Sequence, residues 1–146
     1  MKAAVKVNVT GWDAAMPLAR PIRYAVFVIE QGVPVALEWD EHDPVCDHAI
    51  AFDAGGDAIA TGRLLPDGHI GRMAVLASAR GQGVGSAVLD ALVARAVARG
   101  MTVALLNAQT HAAPFYARHG FAPYGEQFME AGIAHVAMRR DLVPAP

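Results

Sequence analysis

The sequence is poor in cysteine, in net charge and in long apolar runs. Cys46 is the only cysteine among 146 residues. A disulfide scaffold within one chain is therefore excluded, and a reducing compartment fits best. No uncharged apolar run approaches the roughly 18 residues of a membrane span. Twelve Lys and Arg against 14 Asp and Glu give a net charge of −2. The basic excess that binds a nucleic-acid backbone is missing. The basic residues near Met1 are not followed by the apolar stretch of a signal peptide. The expectation is a cytoplasmic protein with neither nucleic acid nor membrane as partner; a homodimer is left open. What the chain does have is apolar residues, 54% of the total, 30 of them alanine, with only 18% charged. That balance excludes intrinsic disorder and supports one domain over residues 1–146 with a real core.

The hydropathy pattern alternates between two periods. Residues 5–10 alternate apolar and polar, the pattern of a strand. Pro17 and Pro21 break the next stretch, and Ile22, Val26 and Ile29 then recur at helical spacing up to Glu30. Residues 48–75 read as an antiparallel meander, with turns at 54–57 and 66–68. The segment from Val84 to Arg99 reads as a helix so poor in polar positions that it must be covered on much of its circumference, with Gly100 as its stop. Residues 102–107 read as a buried strand, 111–119 as a short helix, and 121–124 and 134–142 as extended pieces. The order β-α-β-β-β-α-β-α-β-β predicts an α+β, or mixed α/β, domain.

Chemistry concentrates at Arg80-Gly81-Gln82-Gly83-Val84-Gly85-Ser86, between a strand and a helix. Glycines there admit positive φ and close approach, and successive N–H groups with the helix N-terminus make an anion site. The guest expected is a phosphate or pyrophosphate. A Walker loop would need Lys before Ser86, which Gly85 replaces. A dinucleotide fold would place the turn after its first strand, with an acid about 20 residues on. No Asp or Glu occurs from Ala91 to Gly125.

The segment Arg80-Gly81-Gln82-Gly83-Val84-Gly85 resembles the Arg/Gln-x-x-Gly-x-Gly/Ala signature of the GNAT superfamily of acetyl-CoA-dependent N-acyltransferases. Ile70 to Val75 looks like that family's splayed central strand. Asn107-Ala108-Gln109 and Phe115 to Phe121 resemble its second block. Val26 to Pro34 and Glu130-Ala131-Gly132-Ile133-Ala134-His135 resemble the ElaA-like branch. The resemblance implies a central, mostly antiparallel sheet with one splayed pair of strands, flanked by helices. It implies acetyl transfer from acetyl-CoA to a primary amine of a small molecule or peptide, in a ternary complex. The other reading, from a different class, is a coenzyme-A-binding sensor or interaction module without turnover. Under the resemblance, the backbone of Met73, Ala74 and Val75 pairs with the pantetheine arm. Amides of Gly81, Gln82, Gly83, Val84, Gly85 and Ser86 hold the pyrophosphate, with Arg80 nearby. Asn107 meets the coenzyme arm, and Tyr116 lies near the thioester sulfur.

Amine attack on a thioester needs a neutral amine, a stabilised oxyanion and a proton for the thiolate. Tyr116 is the candidate acid. The base is open: Glu30 is a candidate beside its reading as a solvated helix-end carboxylate. His111 reads equally as a cap, and His48 and His135 as hydrogen-bonded core histidines. A chain of waters could replace any of them, while Glu126 and Glu130 could bind a cationic amine or be exposed. No metal is expected, because Asp40, His42, Asp43, Cys46 and His48 match no zinc spacing. Residues 37–47 carry five acids and no Lys or Arg. They read as a loop, either an acidic lip that selects a cationic amine or a solvated surface, with Trp39 as lid or core.

Overall fold

The structure is a computed structural model that describes residues 5–38 and 40–143. Trp39, read above as lid or core, lies outside the described residues. Among the described residues, eight strands form one sheet: β1 (Lys6–Thr10), β2 (Asp47–Phe52), β3 (Ala58–Leu64), β4 (His69–Val75), β5 (Val103–Gln109), β6 (Ala122–Pro123), β7 (Phe128–Glu130) and β8 (Ile133–Asp141). The spatial order is β1-β2-β3-β4-β5-β8-β6, with β7 also on β8. Among the described strands, β4 and β5 alone pair in parallel. This is the mixed α/β, mostly antiparallel architecture the sequence predicted. The α-helices of the described residues are α1 (Trp12–Arg23), α2 (Val35–Glu38), α3 (Val84–Ala98) and α4 (Ala113–Arg118). Among the described residues, no helix is long and apolar enough to cross a membrane.

Helix α3 is the crossover from β4 to β5 and the main cover of one sheet face. Val84, Val88, Leu89, Leu92, Val93 and Ala96 are buried, and only Asp90, Ala94 and Ala98 form an exposed stripe at a spacing of four. Gly100 follows at φ +78°, the left-handed position that stops a helix. The helix approaches β3 closely: a Cβ on Gly62 would lie 2.9 Å from Leu92 and 3.0 Å from Val88. Pleating separates the two faces. Ala104, Leu106 and Ala108 of β5 and Val136 and Met138 of β8 enter the core under α3. Asn107 and Gln109 of β5 and His135 of β8 therefore face the opposite side.

The first helix departs from expectation. It begins at Trp12, contains both Pro17 and Pro21, and continues as a π-helix over Tyr24–Glu30. An interior proline costs about 3 kcal/mol or more. Burial outweighs it: Ala15, Ala19, Ile22 and Arg23 form a stripe at i, i+4, i+7 and i+8, all buried. Short three-residue 3-10 turns precede β2, the glycine-rich loop and α4. The predicted helix at 111–119 is thus divided, and β7 is a strand the pattern did not announce.

Candidate active site

Strands β4 and β5 pair at only two registers, His69↔Leu105 and Ile70↔Leu106, and then part. The cause lies in β4. Arg63 pairs with Gly71 and Thr61 with Ala74, so Arg72 and Met73 together oppose the single residue Gly62. This is a β-bulge, which bends and twists its strand. Arg72 takes φ +47° to make it, a conformation that is strained in a non-glycine residue. A cleft of about 1070 Å³ opens between the parted strands. Met73, Ala74 and Val75 line one wall, and Asn107 and Gln109 the other.

The glycine-rich turn closes one end of that cleft. Gly81 and Gly83 sit at φ +78° and +80°, which favours glycine there, and a Cβ on Gly81 would meet open space. Gly83 is the N-cap of α3, whose first helical bond runs from the Ala87 amide to the Gly83 carbonyl, 3.1 Å. The amides of Val84, Gly85 and Ser86 precede that bond and are the orphan donors of the helix start. A Cβ on Gly85 would touch Phe115 and Val75 only at ordinary contact, 3.6 and 3.8 Å. Neither φ nor packing within the chain demands glycine there, which fits close approach by a ligand. Tyr116 of α4 points its hydroxyl at the Met73 sulfur, 3.8 Å away, and burial raises its pKa.

The pattern of the Acetyltransferase (GNAT) domain matches residues 29–142. The chain belongs to the GNAT acetyltransferases. YjcF, an uncharacterized N-acetyltransferase of Bacillus subtilis (strain 168), is 40% identical over 145 residues, 97% of this chain and all of that one. An acyl-CoA N-acyltransferase from Pseudomonas aeruginosa superposes with a TM-score of 0.83 at 30% identity, covering 94% of this chain and 99% of its own. Escherichia coli ElaA does so with the same TM-score and coverage at 25% identity.

In this GNAT chain the residues predicted from sequence largely meet. Glu30, Met73, Ala74, Val75, Arg80 and Gly81 line the cleft, as do Gly83, Val84, Gly85, Ser86, Asn107 and Tyr116. Gln82, between the two left-handed glycines, does not. Glu30 and Arg80 engage each other across the cleft mouth. Arg80 donates from both terminal nitrogens to the Glu30 carboxylate at 2.6 Å and from Nε to the Val75 carbonyl at 3.0 Å. Hydrogen bonding to Arg80 holds the Glu30 pKa below its usual range. Gln109 donates to Gln31 at 3.0 Å, a second bridge from the π-helix end to β5. On α3, the Ser86 hydroxyl lies 3.0 Å from Nε2 of His119, whose Nδ1 is 3.3 Å from Asp90.

The acidic segment corrects the sequence reading. It is neither a solvated loop nor an open acidic lip, because arginines from distant elements occupy four of its five carboxylates, and Glu41 alone of them is exposed with no arginine among the described residues. Arg23 of α1, 1% exposed, donates to Glu38 at 2.6 Å and to Asp43 at 2.9 Å. Arg63 of β3 joins Asp43 at 2.8 Å and Asp40 at 2.7 Å, and Arg72 reaches Asp40 at 3.1 Å. Arg99 binds Asp47. Burial pushes the Asp40 carboxyl up, but hydrogen bonds and charge from Arg63, helped by the His42 amide and Arg72, reverse this and hold its pKa well below the usual range. Burial dominates at Glu38, whose pKa is raised and whose Oε2 has no partner. Burial likewise lifts the Cys46 thiol to about 11, so it is no nucleophile at neutral pH. It also lowers the pKa of His48, whose Nε2 donates to the Asp43 carbonyl at 2.9 Å. Of this network, Asp40, Arg63 and Arg72 reach the cleft wall. Sequence reasoning missed both arginines. The signal was five acids without Lys or Arg among them, most of which had to find cations elsewhere in the fold.

Proposed function

We propose that this GNAT enzyme transfers an acetyl group from acetyl-CoA to the primary amine of a small molecule or peptide, by direct attack in a ternary complex. The observation that carries the reading is one continuous cleft. It starts between parted strand edges and ends on the orphan amides of α3. Acetyl-CoA supplies the acyl group as a thioester, with a thiolate as leaving group. Met73, Ala74 and Val75 offer a strand edge to its pantetheine arm, and one of their amides serves as the oxyanion donor. Gly81 to Ser86 hold the pyrophosphate through backbone donors and the helix dipole. Asn107 orients the arm. Tyr116, a phenol protonated at neutral pH, is the proton donor for the departing sulfur.

The test has two parts. Acetyl-CoA or CoA at saturation should raise the melting temperature, because a ligand that binds only the native state stabilises it. A panel of primary amines should then release free thiol from acetyl-CoA. Tyr116→Phe should lower kcat by roughly 10²–10⁴ while leaving the coenzyme-induced shift intact. Thermal shift without thiol release for any amine would return the chain to a coenzyme-binding module.

A further inference from the structure

The segment from Glu130 to His135 has no role in the reading above, yet it is built as a strained hairpin on the cleft wall. Glu130 pairs with Ile133 across a two-residue turn, with Ala131 at φ +51° and Gly132 at φ +77°. Two positive φ values in a two-residue loop make a type I′ turn, which matches the twist of its strands. Alanine at the first position is strained, and such strain is characteristic of functional sites. The turn carries Glu130, Ala131, Ile133 and His135 to the cleft. His135 lies opposite Phe128 in β7 and Gln109 in β5, on the sheet face away from α3. Its ring stacks on Phe128 with centroids 5.8 Å apart.

The hydrogen bonds fix the chemistry of that ring. His135 Nδ1 lies 2.7 Å from the Ile133 carbonyl, which can only accept, so Nδ1 carries the proton. Nε2 of the neutral ring is then a lone pair, and Glu130 Oε2 sits 3.6 Å from it. Two acceptors at that separation call for a cationic donor between them. Three carboxylates line the cleft, Glu30, Asp40 and Glu130. The first two are neutralised by arginine, whereas among the described residues Glu130 has only the His135 ring beside it as an ion-pair candidate, and the neutral ring brings no charge.

We infer that Glu130 and His135 form the acceptor site, which takes a primary alkylammonium, with Glu130 holding the charge and His135 removing the proton. The inference rests on the acetyl-transfer reading and names its missing base and substrate class. The ammonium N–H bond breaks, its proton passes to Nε2, and the imidazolium returns that proton to solvent. The freed amine forms the C–N bond as the C–S bond breaks. The sulfur leaves with the bonding electron pair and takes the Tyr116 proton, and the phenolate recovers the second proton of the amine nitrogen. The balance is one ammonium and one thioester giving one amide, one thiol and one proton.

The experiment compares n-butylamine and 1,4-diaminobutane, both cationic at neutral pH, with hydroxylamine, which is uncharged there. His135→Gln should cut kcat/KM for the cationic amines by roughly 10²–10⁴ and remove the acid limb of the pH profile. It should leave hydroxylamine turnover nearly unchanged. The other titratable groups on elements packed against His135 are Glu130 itself and His111 of the turn after β5, so His111→Gln serves as the control for that limb. Glu130→Gln should raise KM for the cationic amines about tenfold or more with little change in kcat. In His135→Ala, added imidazole should restore part of the rate. Equal losses on both nucleophiles, an unchanged acid limb, or wild-type turnover of hydroxylamine alone would each overturn the assignment. Wild type with neither coenzyme-induced shift nor thiol release would instead sink the acetyl-transfer reading, and this one with it.

Discussion

The two faces of the sheet are built from different materials. Under α3 the contacts are apolar and continuous: Ala49, Leu64, Leu92, Ala104 and Met138 belong to one core cluster. On the other face the apolar contacts are small clusters around Ala15, Ala19 and Ile50, or Ile22 and Val26. Between them and the cleft lies the buried network of Arg23, Glu38, Asp43 and Arg63. Apolar burial stabilises roughly in proportion to area and tolerates substitution of equal volume. A buried ion network adds little net stability, because desolvation offsets attraction, but it is costly to break in part. One face therefore supplies stability. The other fixes positions, and it is the face that borders the cleft.

Three substitutions separate these roles. The largest effect is expected at Asp43, which holds both Arg23 and Arg63. Asp43→Ala takes one carboxylate from each of two buried guanidinium groups, leaving Arg23 with Glu38 and Arg63 with Asp40, and urea melts should show a loss of about 3 kcal/mol. A loss comparable with an exposed ion pair would mean that water reaches the network and that the two faces are more alike than described. Next is Gly62→Ala under α3. The added methyl meets Leu92, Val88 and Met73 within 3.1 Å, and overpacking should cost about 1–3 kcal/mol without changing the KM for the amine. A selective change in amine KM would show that the apolar face also shapes the site. The smallest effect on stability is expected for Glu30→Gln, because the Glu30–Arg80 pair is exposed and screened. The melting temperature should hardly move, yet acetyl-CoA should bind more tightly by a few-fold. Arg80 would no longer have to leave a carboxylate to meet a phosphate. Weaker coenzyme binding would make Glu30 a positioning residue for the loop.

The legible parts of this molecule were local in sequence. The meander β2-β3-β4, helix α3 and the glycine turn each show their period or turn chemistry within about a dozen residues. The cleft-lining set followed from that turn and from the resemblance it carried. What could not be read depended on partners far along the chain. Asp43 and Arg23 are 20 residues apart, Asp40 and Arg63 23, and Gln31 and Gln109 78. Pro17 and Pro21 carry a strong local signal against helix, and only burial of α1 on the sheet reverses it. The three exposed residues of β7 have no apolar alternation to betray a strand, since their partner β8 alone defines them.

The bulge at Arg72 has a consequence for the protein as a solute. Beyond Ile70 and Leu106, β4 and β5 no longer pair with each other, so the sheet contains an edge in its own interior. Open edges invite edge-to-edge addition by another polypeptide and are a route to aggregation. A bulge with a charged side chain at φ +47° denies an incoming strand a flat, in-register template. The same irregularity that opens the cleft thus makes the parted edge a poor template for self-association. Arg72→Val, which removes the charge from that edge, is expected to raise light scattering of concentrated coenzyme-free protein, and acetyl-CoA should suppress the rise.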